Sequence, residues 1–120
     1  MKPSEIIDKA LTEVMPTEDA WCQGGYSNED GSKHCTLGAL YYASGLYNKT
    51  CDTFRSFGNQ TDLSCAIHKV SQVLIGMGSS TCVFGVKPEI TVWNDAEGRT
   101  YDDVRTVLEK ARAGLQEEGQ

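Results

Sequence analysis

Positive charge is the scarcer kind in this chain: eleven Lys and Arg stand against seventeen Asp and Glu, for a formal net charge of −6. Nonspecific affinity for nucleic acid comes mostly from neutralising phosphates, so this balance argues against a nucleic-acid binder. It argues equally against acidic partners and membrane surfaces and leaves basic proteins or a small ligand open. The closest basic grouping, Arg105, Lys110 and Arg112, is interleaved with Asp102, Asp103 and Glu109. That pattern reads as a solvated helix face rather than a phosphate-binding stripe. Long apolar runs are also missing, so no membrane span is expected. Met1 to Val14 is broken by Lys2, Glu5, Asp8, Lys9 and Glu13, which excludes a signal-peptide core and makes the cytoplasm the expected location. Internal repeats and low-complexity tracts are absent. With 120 residues, 39% of them hydrophobic, the chain is expected to form one globular domain over residues 1–120. It is long enough to hold a core without disulfide or metal.

Cysteine is present five times, at 22, 35, 51, 65 and 82. An odd count without an export signal suggests free thiols in a reducing compartment.

Apolar periodicity and punctuation divide the chain. Ser4 is a candidate N-cap for a helix over residues 4–15, with Ile6, Ile7, Ala10, Leu11 and Val14 at helical spacing and Pro16 ending the run. Residues 16–32 read as irregular, with turn chemistry at Gly24, Gly25 and Asn28–Gly31 and with Trp21 and Tyr26 tucked onto the core. A second helix spans His34 to Tyr47, unless Gly45 stops it. Residues 48–60 form a loop pinned by Phe54 and Phe57. Thr61 or Asp62 caps a third helix, whose seam Leu63, Ile67, Val70, Leu74 and Met77 is the clearest in the chain, closed by Gly76 and Gly78. Val83–Val86 and Ile90–Trp93 are short β-rich runs expected to pair as a hairpin. Thr100 and Asp103 resemble a capping box at the head of a last helix, with Val104, Val107, Leu108, Ala111 and Leu115 on one face and a fraying tail from Glu117. The expected fold is mainly α or α+β: about four helices packed with a small β-hairpin near residues 83–93.

Few residue constellations carry chemistry. Cys22, His34, Cys35, Cys65, His68 and Cys82 supply metal-ligating atoms, but no C-x-x-C pair and no H-E-x-x-H occurs. Cys65 and His68 share a helix face; the reading is small thiols and two ordinary histidines, with no metal site and no cofactor. For thiol catalysis Cys35 fits better than Cys22, because it opens a helix whose dipole favours a thiolate, with His34 or His68 as base and Gln23 as oxyanion donor. The turn Asn94–Thr100 leads into a helix N-terminus and carries Arg99, yet Asp102 and Asp103 in that first turn repel phosphate. The expected role is therefore structural: Asp95 or Thr100 satisfies backbone donors, Arg99 pairs with an acid, and Trp93 fills core. The neighbours Asp102–Asp103 and Glu117–Glu118 do not face each other on a helix and make poor acid–base pairs.

Two stretches together form a pattern: Trp21-Cys22-Gln23-Gly24 followed by Cys35-Thr36-Leu37-Gly38-Ala39-Leu40, and Trp93-Asn94-Asp95-Ala96-Glu97-Gly98-Arg99-Thr100 with Asp103-Val104. In this order of W-x-Q-G, C-x-x-G-A-L and W-N-D-x-x-G-R-T the chain resembles a family of small uncharacterised proteins, a domain of unknown function, of actinobacteria and their phages. The W-N-D turn is the most specific part of the resemblance; residues 45–85 are the least. The resemblance implies an intracellular bacterial or phage origin and no particular activity, and Cys22 departs from its pattern. It directs attention to Trp21, Gln23, Cys35, Trp93, Asn94, Asp95, Arg99 and Thr100.

If the W-x-Q-G loop and the W-N-D turn meet, Trp21, Gln23, Trp93, Asn94, Asp95 and Arg99 form either a small polar ligand pocket with aromatic walls or a hydrogen-bond cluster that locks the loop onto the last helix. The functional expectation is a non-enzymatic binding or interaction module, an accessory protein that binds a host protein or sequesters a small nucleotide-like signal. The alternatives are a cysteine-nucleophile enzyme using Cys35 or Cys22 with a His base, and a zinc-stabilised domain.

Overall fold

The computed structural model describes residues 2–25, 28, 31–45, 47–48, 53–54, 61–77 and 90–120. Among these described residues five α-helices dominate: α1 (Pro3–Lys9), α2 (Thr36–Ser44), α3 (Thr61–Gly76), α4 (Ile90–Asn94) and α5 (Tyr101–Glu117). Two-residue strands, β1 (Tyr47–Asn48) and β2 (Thr53–Phe54), pair antiparallel. The fold is mainly helical, as the spacing of apolar residues predicts. Helices α1, α3 and α5 pack on one another, and α2 lies against α1, α3 and α4.

The last helix is the one whose every expected contact is realised. Val104, Val107, Leu108, Ala111 and Leu115 are all buried, the 3.6-residue stripe of an amphipathic helix. Its start is the expected capping box: the Thr100 hydroxyl accepts from the Asp103 N–H at 3.2 Å and the Asp103 carboxylate accepts from the Thr100 N–H at 3.1 Å. Its end does not fray. Gly119 takes φ +78°, and the Gly119 and Gln120 N–H groups donate to the Gln116 and Leu115 carbonyls. This is a Schellman closure, which satisfies carbonyls the helix leaves open. The Gln120 carbonyl then accepts from both the backbone and the hydroxyl of Ser4 at 3.0 and 2.8 Å. Ser4 thus ties the tail down instead of capping α1; Lys2 occupies the cap position, its N–H bonded to the Glu5 carboxylate. Of the interleaved charges, Arg105 pairs with Glu109 one turn on and Arg112 reaches across to Asp8 of α1, both within 2.8 Å.

Helix α1 continues as a π-helical stretch over Ala10–Val14. The wider turn brings Met15 fully into the core and leaves Val14 at its margin. The Tyr101 hydroxyl fixes that end by donating to the Met15 carbonyl at 2.6 Å. In α3, Leu63, Ala66, Val70 and Leu74 form the buried seam, whereas Met77, just past the end, is half exposed. Helix α2 is buried on most sides, through Thr36, Ala39, Leu40, Tyr41 and Ala43. It starts at Thr36 rather than His34 and stops where Gly45 adopts φ +80°, a left-handed conformation that glycine reaches without a Cβ clash.

The hairpin expected near residues 83–93 is not supported. Ile90–Asn94 is helical, and residues 83–89 lie outside the described residues, as do the side chains of Phe54 and Phe57. Strand propensity lost to packing here. A strand would set Ile90 and Val92 on one face and Trp93 on the other. The helix puts Ile90, Trp93 and Asn94 together on the buried face and leaves Val92 outside.

The capping box yields a direct test. Thr100→Ala is expected to lower unfolding free energy by about 1 kcal/mol in denaturant titration, with Thr100→Ser close to the parent.

Candidate functional site

Short helix α4 ends by delivering one polar side chain to the interior. Asn94 is fully buried, and its amide oxygen accepts from the Trp21 indole N–H at 2.8 Å, the Thr36 N–H at 3.0 Å and the Thr36 hydroxyl at 2.6 Å. Its amide nitrogen donates to the Cys22 carbonyl at 3.1 Å and to the Asp95 carboxylate at 2.9 Å. The indole and the backbone N–H can only donate, and the carbonyl and carboxylate can only accept, so the amide has a single orientation that satisfies all its neighbours. Asparagine is required: an Asp here would set an oxygen against the Cys22 carbonyl and the Asp95 carboxylate.

The surrounding residues complete a clasp between the loop and the turn. The Gln23 amide donates to the Asn94 and Ala96 carbonyls at 2.9 and 3.1 Å. Asp95 accepts from the Gly24 N–H at 3.0 Å. Arg99 holds its guanidinium 4.3 Å above the Trp93 ring, with its Nε donating to the Trp93 carbonyl at 2.9 Å and its Nη1 3.8 Å from Asp103. The W-x-Q-G loop and the W-N-D turn therefore meet. They meet as a hydrogen-bond cluster: Trp21, Gln23, Asn94 and Asp95 bond to one another's segments, Trp93 is buried in the core, and Arg99 braces it.

A cavity of about 210 Å³ lies beside the clasp, lined among the described residues by Gly24, Gly25, Cys35, Thr91 and Asp95. Neither Trp21 nor Trp93 is among those lining residues. Thr36 and Thr91 carry no signal of their own in the sequence. Thr36 stands inside the C-x-x-G-A-L stretch, but nothing local marks its hydroxyl as a partner for a residue 58 positions away.

The thiols occupy distinct environments. Cys35 is the N-cap of α2, as its position suggested, and its Sγ accepts from the Gly38 N–H at 3.3 Å. Burial pushes its pKa up to about 11, against the smaller lowering effect of the Gly38 and Leu37 N–H groups. Burial also raises Cys22, with Asp95 adding to the rise and Lys33 opposing it. Both thiols are protonated at neutral pH. Of the two histidines, His34 is buried with its ring against Tyr42 at 4.2 Å. His68 lines a different cavity of about 470 Å³ between α3 and the end of α5, together with Cys65, Lys69, Gln72 and Glu118. There Cys65 is exposed, and Lys69 is paired with Glu118 at 2.8 Å. Among the described residues no group of three His, Cys, Asp or Glu is placed to hold a metal ion, and no helix is long and apolar enough to cross a membrane.

The family model described as "Family of unknown function (DUF6197)" matches residues 1–114. The chain belongs to this family. No curated protein and no solved structure matches it. The matched span takes in both halves of the clasp and nearly all of α5, so the loop, the turn and the helix that follows fall within one family unit.

Two outcomes are expected. Asn94→Ala strands the Trp21 and Thr36 donors and the Cys22 carbonyl, and is expected to cost roughly 3–5 kcal/mol in denaturant titration, several times the loss from Trp21→Phe. In timed alkylation of the native protein near pH 7, Cys35 is expected to react at least about 100-fold more slowly than exposed Cys65, because it is buried and its thiol, pushed up to about 11, is almost wholly protonated.

Proposed function

We propose that the chain is a non-enzymatic interaction module that takes a basic segment of a protein partner at the face made by residues 22–25 and Asp95. One observation carries this reading: the clasp holds the Asp95 carboxylate at the 210 Å³ cavity. Gly24 and Asn94 engage its Oδ1, while Oδ2 accepts no hydrogen bond among the described residues. A carboxylate held in this way attracts an ammonium or guanidinium group and repels phosphate. The cavity is smaller than the roughly 300 Å³ at which pockets for drug-sized ligands begin, and it suits a side-chain tip better than a nucleotide. The net charge of −6 adds a long-range pull on a basic partner.

The cysteine-enzyme reading is weaker because it requires a thiolate, and the two thiols nearest the clasp are held protonated. Sequestration of a nucleotide-like signal is the second reading, favoured by the larger 470 Å³ groove. The motif resemblance supports an accessory role in an actinobacterium or its phage.

Titration of isotope-labelled protein tests the reading. A lysine-rich peptide is expected to move the amide resonances of Gly24, Gly25 and Asp95, and Asp95→Asn to weaken that binding about three- to five-fold, as an exposed ion pair allows. Nucleotides are expected to leave those resonances in place. Shifts confined to Ser64, His68 and Gln72 on adding nucleotide, with none from the peptide, would overturn the reading in favour of the second.

A further inference from the structure

The loop before the clasp and the residue before α2 are joined by a backbone bridge with a consequence for their cysteines. Trp21 and His34 pair in parallel: the His34 N–H donates to the Ala20 carbonyl at 2.8 Å, and the Cys22 N–H donates to the His34 carbonyl at 3.0 Å. One step beyond the bridged pair stand Cys22 and Cys35. Residues in equivalent positions of a parallel pair point to the same face, and neighbouring strands lie about 4.8 Å apart. Cys35 is still extended there, at φ −80° and ψ 172°. A disulfide requires Cα atoms roughly 4.4–6.8 Å apart with Cβ vectors converging; the bridge is a single rung, and the Asn94 amide fills the next one between the Cys22 carbonyl and the Thr36 N–H, so the two segments close on each other there when the bond forms.

Three further observations agree. Cys22 Sγ lies 3.8 Å from the Gly25 carbonyl, and Gly25 shares the small cavity with Cys35. Charge on Cys22 is felt at Cys35, raising its proton affinity, as a close neighbour's charge must. Cys65 is on α3, in a different cavity.

We propose that Cys22 and Cys35 form an oxidisable dithiol, which a peroxide converts to a disulfide that fastens the loop to the start of α2. Cys22 is the more accessible of the two and reacts first. Its thiolate attacks a peroxide oxygen; the S–O bond forms, the O–O bond breaks, and with hydrogen peroxide the departing hydroxide takes a proton and leaves as water. The Cys35 sulfur then attacks the Cys22 sulfur. The S–S bond forms, the S–O bond breaks, and the leaving hydroxide takes the Cys35 proton as a second water. Two thiols thus give up two electrons, and one peroxide accepts them. Because burial keeps both groups protonated, the reaction is slower than that of a low-pKa sensor thiol. The proposal goes beyond the partner reading and stands without it.

The test oxidises the folded, reduced chain with hydrogen peroxide, blocks the remaining thiols and maps the digest by mass. Expected are a linked peptide pair joining Cys22 to Cys35, the loss of two hydrogens from that pair, and its return to thiols with a dithiol reductant. In Cys22→Ser the link is lost and Cys35 is recovered as a thiol. If Cys22 proceeds to sulfinic acid while Cys35 stays a thiol, or if either is linked instead to Cys51, Cys65 or Cys82, the proposal is overturned. Should Cys22→Ser fail to fold, the variant Cys51→Ser/Cys65→Ser/Cys82→Ser, which keeps only this pair, decides: a disulfide supports the proposal, and two persistent thiols overturn it.

Discussion

A primary amide buried away from water must find partners for both its oxygen and its nitrogen, or the fold bears the cost of desolvating it. Asn94 meets that demand with groups from two distant parts of the chain: the indole of Trp21 and the carbonyl of Cys22 in the loop, and the backbone and hydroxyl of Thr36. Each of those groups is a liability without it. The Thr36 N–H is a first-turn donor of α2 with no partner inside its own helix. Asn94 therefore acts as a remote cap for α2, as an anchor for the loop and as the stop of α4 at once. In low-dielectric surroundings such a network holds one arrangement strongly and partial ones poorly.

From that point the constraints spread through packing. Trp93, one residue earlier, is part of the core, and Arg99 covers its ring and bonds its carbonyl. The turn that Arg99 braces leads directly into the capping box of α5. Helix α5 packs on α1 and α3 and, through its Schellman end, returns to Ser4 at the start of α1. Lys69 of α3 reaches Glu118 across Gly114, where a Cβ would fall 2.6 Å from the lysine Cε. Polar closures at α5's two ends thus frame its buried apolar stripe.

The same clasp decides what chemistry is available nearby. Enclosing the loop against α4 and α2 desolvates Cys35 and partly desolvates Cys22, which suppresses thiolate at both. A helix N-terminus is often taken as a signal of an activated cysteine. At Cys35 desolvation outweighs the N–H groups at the head of α2, because the thiol is enclosed and a carboxylate stands close by. What the surface offers instead is a fixed acid, Asp95, beside a side-chain-sized cavity.

Much was legible in the residues themselves. The seams of α1, α3 and α5, the Thr100–Asp103 box, the stop at Gly45 and Arg99's pairing with an acid are written within a few positions of one another, where periodicity and capping chemistry act. The motif pair also pointed to the segments that form the clasp; the expectation is a lock of the loop onto the last helix, and the bonds run to residues 94–96, in the turn before that helix. Local reading failed at Ile90–Trp93, where β-branched residues favour a strand and only the burial of Ile90, Trp93 and Asn94 on one face makes a helix. It failed too at the tail, whose partner Ser4 stands 116 positions away, and at Thr36, whose hydroxyl meets Asn94. The sequence by itself determined the apolar faces of α1, α3 and α5, the stop at Gly45 and the box at Thr100–Asp103, since those depend on neighbours about one turn apart. Only the tertiary structure decided which polar groups answer Asn94 and which thiols lose water, because those follow from contacts 58 to 73 residues apart.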